Sequence, residues 1–202
     1  MSHLKTDNQN QQRSARRNRY ALRLLIGMFC VFWVATFTSG ATAQVPVINR
    51  EPTLKAAYLF HFTNPRYVDW PELQVALNPP FVIGTVGDDP VNPILQVKSA
   101  KRMVGNRAIQ YKKITKLNDC QGCQIIFFSG SANPIKTGQL LQALQGQPIL
   151  LVGEQPGFLN AGGTINYTVK NNRIKLQISI KNSKTNGLKI GSELAKLADI
   201  VN

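Results

Sequence analysis

The residues best suited to chemistry are Cys120 and Cys123, in the run Asp-Cys-Gln-Gly-Cys-Gln. Two thiols at this spacing can close a small disulfide loop, cycle as a redox dithiol, or supply half of a zinc knuckle. The knuckle needs a second pair, and the remaining cysteine, Cys30, stands alone. A redox dithiol needs its first cysteine at a helix N-terminus, where the thiol pKa falls. Here a strand-like apolar run, 125–128, follows the pair instead. A local disulfide is therefore the expectation for an oxidising compartment, and Gly122 eases the turn between the two sulfurs.

Other constellations lack a member. His3 and His61 are the two histidines, too few for a histidine zinc site, and no Gly-x-Ser-x-Gly elbow accompanies them. His61 lies between Phe60 and Phe62 and reads as a packing residue. Asp88-Asp89 closes a strand-like run, where receiver domains keep an acidic pair for Mg²⁺ beside a phosphoacceptor aspartate. The later run 125–128 ends in Ser129-Gly130, so that acceptor is missing, and Asp88-Asp89-Pro90 reads as a turn opening a helix. There is no phosphate-binding glycine loop. Glu72, Asp119, Glu154, Glu193 and Asp199 show no paired spacing of the glycosidase kind. The expectation is a protein with no catalytic or metal set and no cofactor.

The elements that would carry these residues are legible from periodicity. Helical spacing of Leu54, Ala57, Tyr58 and His61 predicts a helix from Glu51, with Pro52 suited to its first turn and Pro65 ending it near Asn64. Strand-like runs at 81–86, 108–114, 124–129 and 148–152 alternate with helical patterns at 93–100 and 135–144. That alternation predicts an α/β layered domain with a mainly parallel central sheet and helices packed on it. Ile165, Tyr167 and Val169, then Ile174, Leu176, Ile178 and Ile180, alternate with polar residues around Asn171-Asn172. This predicts an antiparallel C-terminal hairpin. Short helices follow, at 182–186 before Gly187, and over a stripe of Ile190, Leu194, Leu197 and Val201.

The first 43 residues are set apart. Arg13, Arg16, Arg17, Arg19 and Arg23 precede an apolar run over 24–37, short for a membrane span, and Ala41-Thr42-Ala43 offers a cleavage site before Gln44. This is the pattern of a secretory signal peptide, with an uncleaved anchor as the alternative. The organisation expected is a leader over 1–43 and a single domain over 44–202, exported to the periplasm. The chain carries 24 basic and 10 acidic residues. The leader removes six of the basic and one of the acidic, so the remainder stays net positive. The cations are scattered, and export separates them from nucleic acid. A solvated basic surface, or one facing an acidic partner or anionic membrane, is the reading that fits.

Three groups of residues carry a family likeness. They are Gly162-Gly163 at the start of the hairpin, Asn172-Arg173 within it, and Gly187-Leu188-Lys189-Ile190-Gly191-Ser192-Glu193-Leu194 after it. Together with Tyr67-Val68-Asp69-Trp70-Pro71, they resemble the YfiR-like family of bacterial periplasmic regulators. Asn64-Pro65 looks like an insertion in the family run. The resemblance implies a non-enzymatic protein that binds the periplasmic sensory domain of an inner-membrane diguanylate cyclase and holds it inactive. It would thereby control cyclic di-GMP and biofilm formation. It also implies an outer-membrane lipoprotein that can sequester the repressor, and it allows a homodimer. Interface cores favour aromatics and arginine, so Phe60, Phe62, Arg66, Tyr67 and Trp70 are the partner-binding candidates. The alternative function is a periplasmic small-molecule binding module, with its ligand at the C-terminal ends of the strands and loop 153–163 beside it.

Overall fold

The structure, a computed structural model, describes residues 50–70, 79–170 and 173–201. The leader and the Asn171-Asn172 turn lie outside them. The chain runs α1 (Glu51–His61), β1 (Val68–Asp69), β2 (Phe81–Val86), α2 (Val91–Ser99), β3 (Met103–Val104) and β4 (Arg107–Ile114). A 3-10 turn (Leu117–Cys120), β5 (Cys123–Phe128), α3 (Pro134–Ala143), β6 (Leu150–Gly153), β7 (Ile165–Lys170) and β8 (Arg173–Ser179) follow. The last elements are α4 (Ile180–Thr185), β9 (Lys189–Ile190), α5 (Ser192–Ala195) and β10 (Ala198–Val201).

Eight strands form one sheet in the order β10-β8-β7-β6-β5-β2-β4-β3. β4, β2, β5, β6 and β7 are parallel neighbours, and β7 and β8 form the antiparallel hairpin. The chain leaves β2 for β4 on one side and then returns to β5 on the other. The winding therefore reverses between β2 and β5, as in doubly wound sheets. All six residues of β5 are buried, as a central parallel strand covered on both faces requires. Ile125 and Phe127 join a core with Leu59 of α1 and Leu95 of α2. Ile126 and Phe128 join a second core with Leu141 of α3 and Leu144 just beyond it. Period-two alternation within one strand thus feeds two helix layers.

The loop from β6 to β7 is fixed by Phe158. Its ring lies where a Cβ on Gly163 would sit, 2.1 Å from the nearest ring carbon, so only glycine fits there. Asn182 of α4 clamps the same loop, its amide donating to Leu159 O and Gly163 O at 2.7 Å each. Ser179 ends β8 and caps α4, accepting a bond from Asn182 N at 3.2 Å. Ile180, expected in the strand, therefore opens a helix.

The C-terminal stripe is the main departure from expectation. Ile190 lies in β9, which pairs antiparallel with β1, and Val201 lies in β10, parallel to β8. Between them α5 is a single turn, with Leu194 buried and Leu197 62% exposed. The cause is backbone contact at Gly191. Its N–H donates to Tyr67 O at 2.8 Å, and a Cβ there would sit 2.0 Å from Arg66 O. That contact holds 189–191 extended, and β-branched Ile200 and Val201 then satisfy the sheet edge rather than a helix. Val169, expected in the core, is 58% exposed, because β7 pairs with β6 only at Ile165 and Asn166 and runs on past it.

Candidate functional site

The five partner-binding candidates separate by burial. Phe62 and Trp70 are core residues, 0% and 2% exposed, and Phe60 is buried too. Trp70 Nε1 donates to Phe62 O at 3.0 Å, and the Trp70 ring stands edge-on to Phe81 with centroids 5.2 Å apart. Phe62 and Trp70 hold the end of α1 against β2, Phe60 packs under the Arg102 guanidinium 4.5 Å from its ring centroid, and none of the three offers surface to a partner, which corrects the expectation for them. The reason is geometric. α1 stops at His61, and the turn that follows folds Phe62 and Trp70 back toward the sheet.

What the turn does present is Arg66, exposed, and Tyr67, half-buried, with exposed His61 edge-on to Tyr67 at 5.9 Å. The turn is well held. Tyr67 N and Val68 N donate to Asn64 O at 2.9 and 3.2 Å, Arg66 N donates to Asn64 Oδ1 at 2.9 Å, and Gly191 braces it from below. Asn64-Pro65, the departure from the family run, is thus part of the scaffold that displays Arg66.

Cys120 and Cys123 carry free thiols, both buried in the second core, so the disulfide expected between them is not formed here. Cys120 ends the 3-10 turn and Cys123 opens β5, where its Sγ–H points to Asp119 O at 3.7 Å. Burial raises both thiol pKa values, that of Cys123 to about 11. A thiol held protonated at neutral pH is a poor nucleophile, so this site does not have the electrostatics of a redox dithiol. Next to it, Asp119 Oδ2 accepts bonds from Thr115 N, Thr115 Oγ1 and Lys116 N at 2.9, 2.7 and 3.1 Å. The Thr115 bonds are the largest cause of its pKa falling to about 2.

A polar cluster lies at the carboxyl ends of the parallel strands. Asp88 and Asp89 follow β2, Ser129 and Gly130 follow β5, and Glu154 follows β6. Glu154 Oε1 accepts the Gly130 N–H at 2.6 Å, and Oε2 accepts Lys55 Nζ from α1. Lys55, 7% exposed, also reaches Glu51 Oε1 at 2.7 Å. Burial works against its charge, but the bonds to Glu154 and Glu51 outweigh it and leave its pKa raised. Asp89 Oδ1 accepts the Val91 N–H at 2.8 Å at the start of α2. Its pKa is raised, first by burial, and the charge of Glu154 adds to the shift. The sequence signalled the Glu51–Lys55 pair by its i,i+4 spacing. It gave no sign of Glu154, which arrives 99 residues further on. Among the described residues, no three His, Cys, Asp or Glu side chains are grouped to hold a metal, and no helix is long and apolar enough to cross a membrane.

The family model described as YfiR/HmsC-like matches residues 52–199. The chain belongs to the YfiR/HmsC-like family. No curated protein matches it. Membership suggests a periplasmic regulator of diguanylate cyclases. The match spans α1 through β10 almost entirely, so it takes in both the Arg66 turn and the Gly191 brace.

Proposed function

We propose that the protein represses an inner-membrane diguanylate cyclase by binding its periplasmic sensory domain. The observation that carries this reading is the family match over 52–199. Binding lowers cyclic di-GMP production only as far as the repressor prefers the inactive cyclase over the active one. The chemistry then happens in the cytoplasm, and this protein acts by contact alone.

The docking point we assign is the turn carrying Arg66 and Tyr67. Arginine and tyrosine are the residue types that dominate interface energetics. A turn already fixed by backbone bonds loses little further entropy on binding. The net positive charge of the chain suits an acidic partner surface. An outer-membrane lipoprotein that competes for the same turn would relieve repression. Titration calorimetry of residues 44–202 against the purified periplasmic domain of a membrane diguanylate cyclase from the same cell tests this. Saturable binding that weakens about thirtyfold in Arg66→Ala is expected. Equal affinity of the variant removes the turn from the interface, and absence of binding to any such domain overturns the reading.

A further inference from the structure

A recess of about 320 Å³ opens on the face of the sheet opposite α1, between α3 and the connection from β4 to β5. Its origin is that connection. A crossover between parallel strands usually carries a helix that covers the sheet. Residues 115–122 hold only the 3-10 turn Leu117–Cys120, and the layer beside α3 is left partly open. Val86 and Ile114, at the carboxyl ends of β2 and β4, form an apolar floor. Leu140 and Ala143 of α3 line one wall and Leu117 the other. Leu117 is 46% exposed, and Ala143 facing it is exposed as well. Apolar walls left in water favour an occupant that brings hydrocarbon to them. The volume lies at the lower end of the range of small-ligand sites.

The charge around this floor has one sign. Lys136 of α3 and Lys116 of the connection line the recess from its two walls, both exposed, and no carboxylate lines it. Neither lysine is ion-paired among the described residues, where the pairs are made by Lys55 and Lys113. Asp119 is near enough to Lys116 for its charge to be felt. It accepts the backbone N–H of Lys116, however, and against two lysines it leaves the group net positive. An apolar slot flanked by two free ammonium groups is complementary to a molecule with a hydrocarbon body and an anionic end.

We propose that this recess binds a small amphipathic carboxylate, its alkyl chain on Val86, Ile114, Leu117 and Leu140 and its carboxylate held by Lys116 and Lys136. The lysines select an anion over a cation, and the apolar floor selects a chain over a bare anion. This does not depend on the repressor reading, because the Arg66 turn is a separate surface with a separate test.

The test is a nitrogen-15 NMR titration of residues 44–202 with octanoate, n-octylamine and acetate, the first two kept below their micellar concentrations. Octylamine keeps the chain and reverses the charge, and acetate keeps the charge and removes the chain. Saturable shifts with octanoate are expected at the amides of Leu117, Lys136, Gln139 and Ala143, with neither other compound saturating there. Lys136→Gln and Lys116→Gln change exposed side chains and leave the Lys116 backbone bond to Asp119 in place. Each should weaken octanoate about tenfold, the loss of one charge-assisted bond. Lys175→Gln, which removes the same charge from the exposed hairpin, should leave the affinity unchanged. Octanoate shifts that are absent or lie elsewhere overturn the proposal. So does an equal response to octylamine or to acetate, and so does octanoate affinity that ignores both lysine substitutions. Shifts at these amides with anionic phospholipid vesicles but not with octanoate would make the occupant a membrane and overturn it too.

Discussion

At the residue scale, the aromatic signature divides into structural and presented members, and mutation should separate them. Trp70→Ala removes a fully buried ring and its bond to Phe62 O. It should lower folding stability by about 3–5 kcal/mol. Arg66→Ala touches an exposed side chain and should change stability by less than about 0.5 kcal/mol. Chemical denaturation of both variants, read beside cyclic di-GMP levels in cells, checks the division. An Arg66→Ala protein that is stable but fails to repress marks the interface, whereas normal repression by it moves the interface elsewhere. Asp119 gives a second test. Its folded pKa, about 2, lies below the unfolded value, so its contribution is present above about pH 4 and fades as pH falls toward 2. The stability gap between wild type and Asp119→Asn should therefore narrow over that range. A gap that stays constant shows that the Thr115 bonds do not hold that carboxylate ionised.

At the element scale, the six inner strands of the sheet and the main helices were legible because each presents a clear period or a bounded apolar run, whereas the short strands β1, β3, β9 and β10 carry neither. The run 81–86 is β2 itself, and the helix expected from Glu51 is α1. The stripe of Ile190, Leu194, Leu197 and Val201 misled because a helical period over so few residues does not exclude two short strands joined by a turn. What decided between them was a contact far off in sequence, Gly191 against the Arg66 turn, which no local pattern encodes. The same limit hid Glu154 behind its loop and placed Phe62 and Trp70 in the core, since aromatic residues suit an interface and a core equally. Two glycines now carry predictions. Gly163→Ala pushes a methyl group into the Phe158 ring and should cost about 1–3 kcal/mol. Phe158→Leu in the same chain should recover part of that loss, and a double-mutant cycle with no coupling would refute the contact. Gly191→Ala forces the Arg66 backbone to move, so it should weaken partner binding even in variants that remain folded.

At the scale of the whole molecule, a doubly wound sheet sets its carboxyl-end cluster against α1, while the β1–β9 pair holds the Arg66 turn. The thiols couple stability to pH. With both reduced, the raised pKa of Cys123 means that the unfolded chain loses its proton first. Stability should then be complete below about pH 9 and decline as pH rises toward 11. Closing a Cys120–Cys123 disulfide with an added disulfide oxidant such as oxidised glutathione, which takes up the two electrons and two protons, should remove both titrating thiols and abolish this decline. Unfolding measured with and without reductant across that range distinguishes the two states, and thiol labelling of the exported protein reports which one it carries. Repression by contact is tested most directly by the cyclic di-GMP level in a strain lacking this protein. Deletion should raise the nucleotide and increase biofilm, and return of the wild-type protein, but not of a folded Arg66→Ala variant, should bring both down. An unchanged cyclic di-GMP level in the deletion strain would contradict the account.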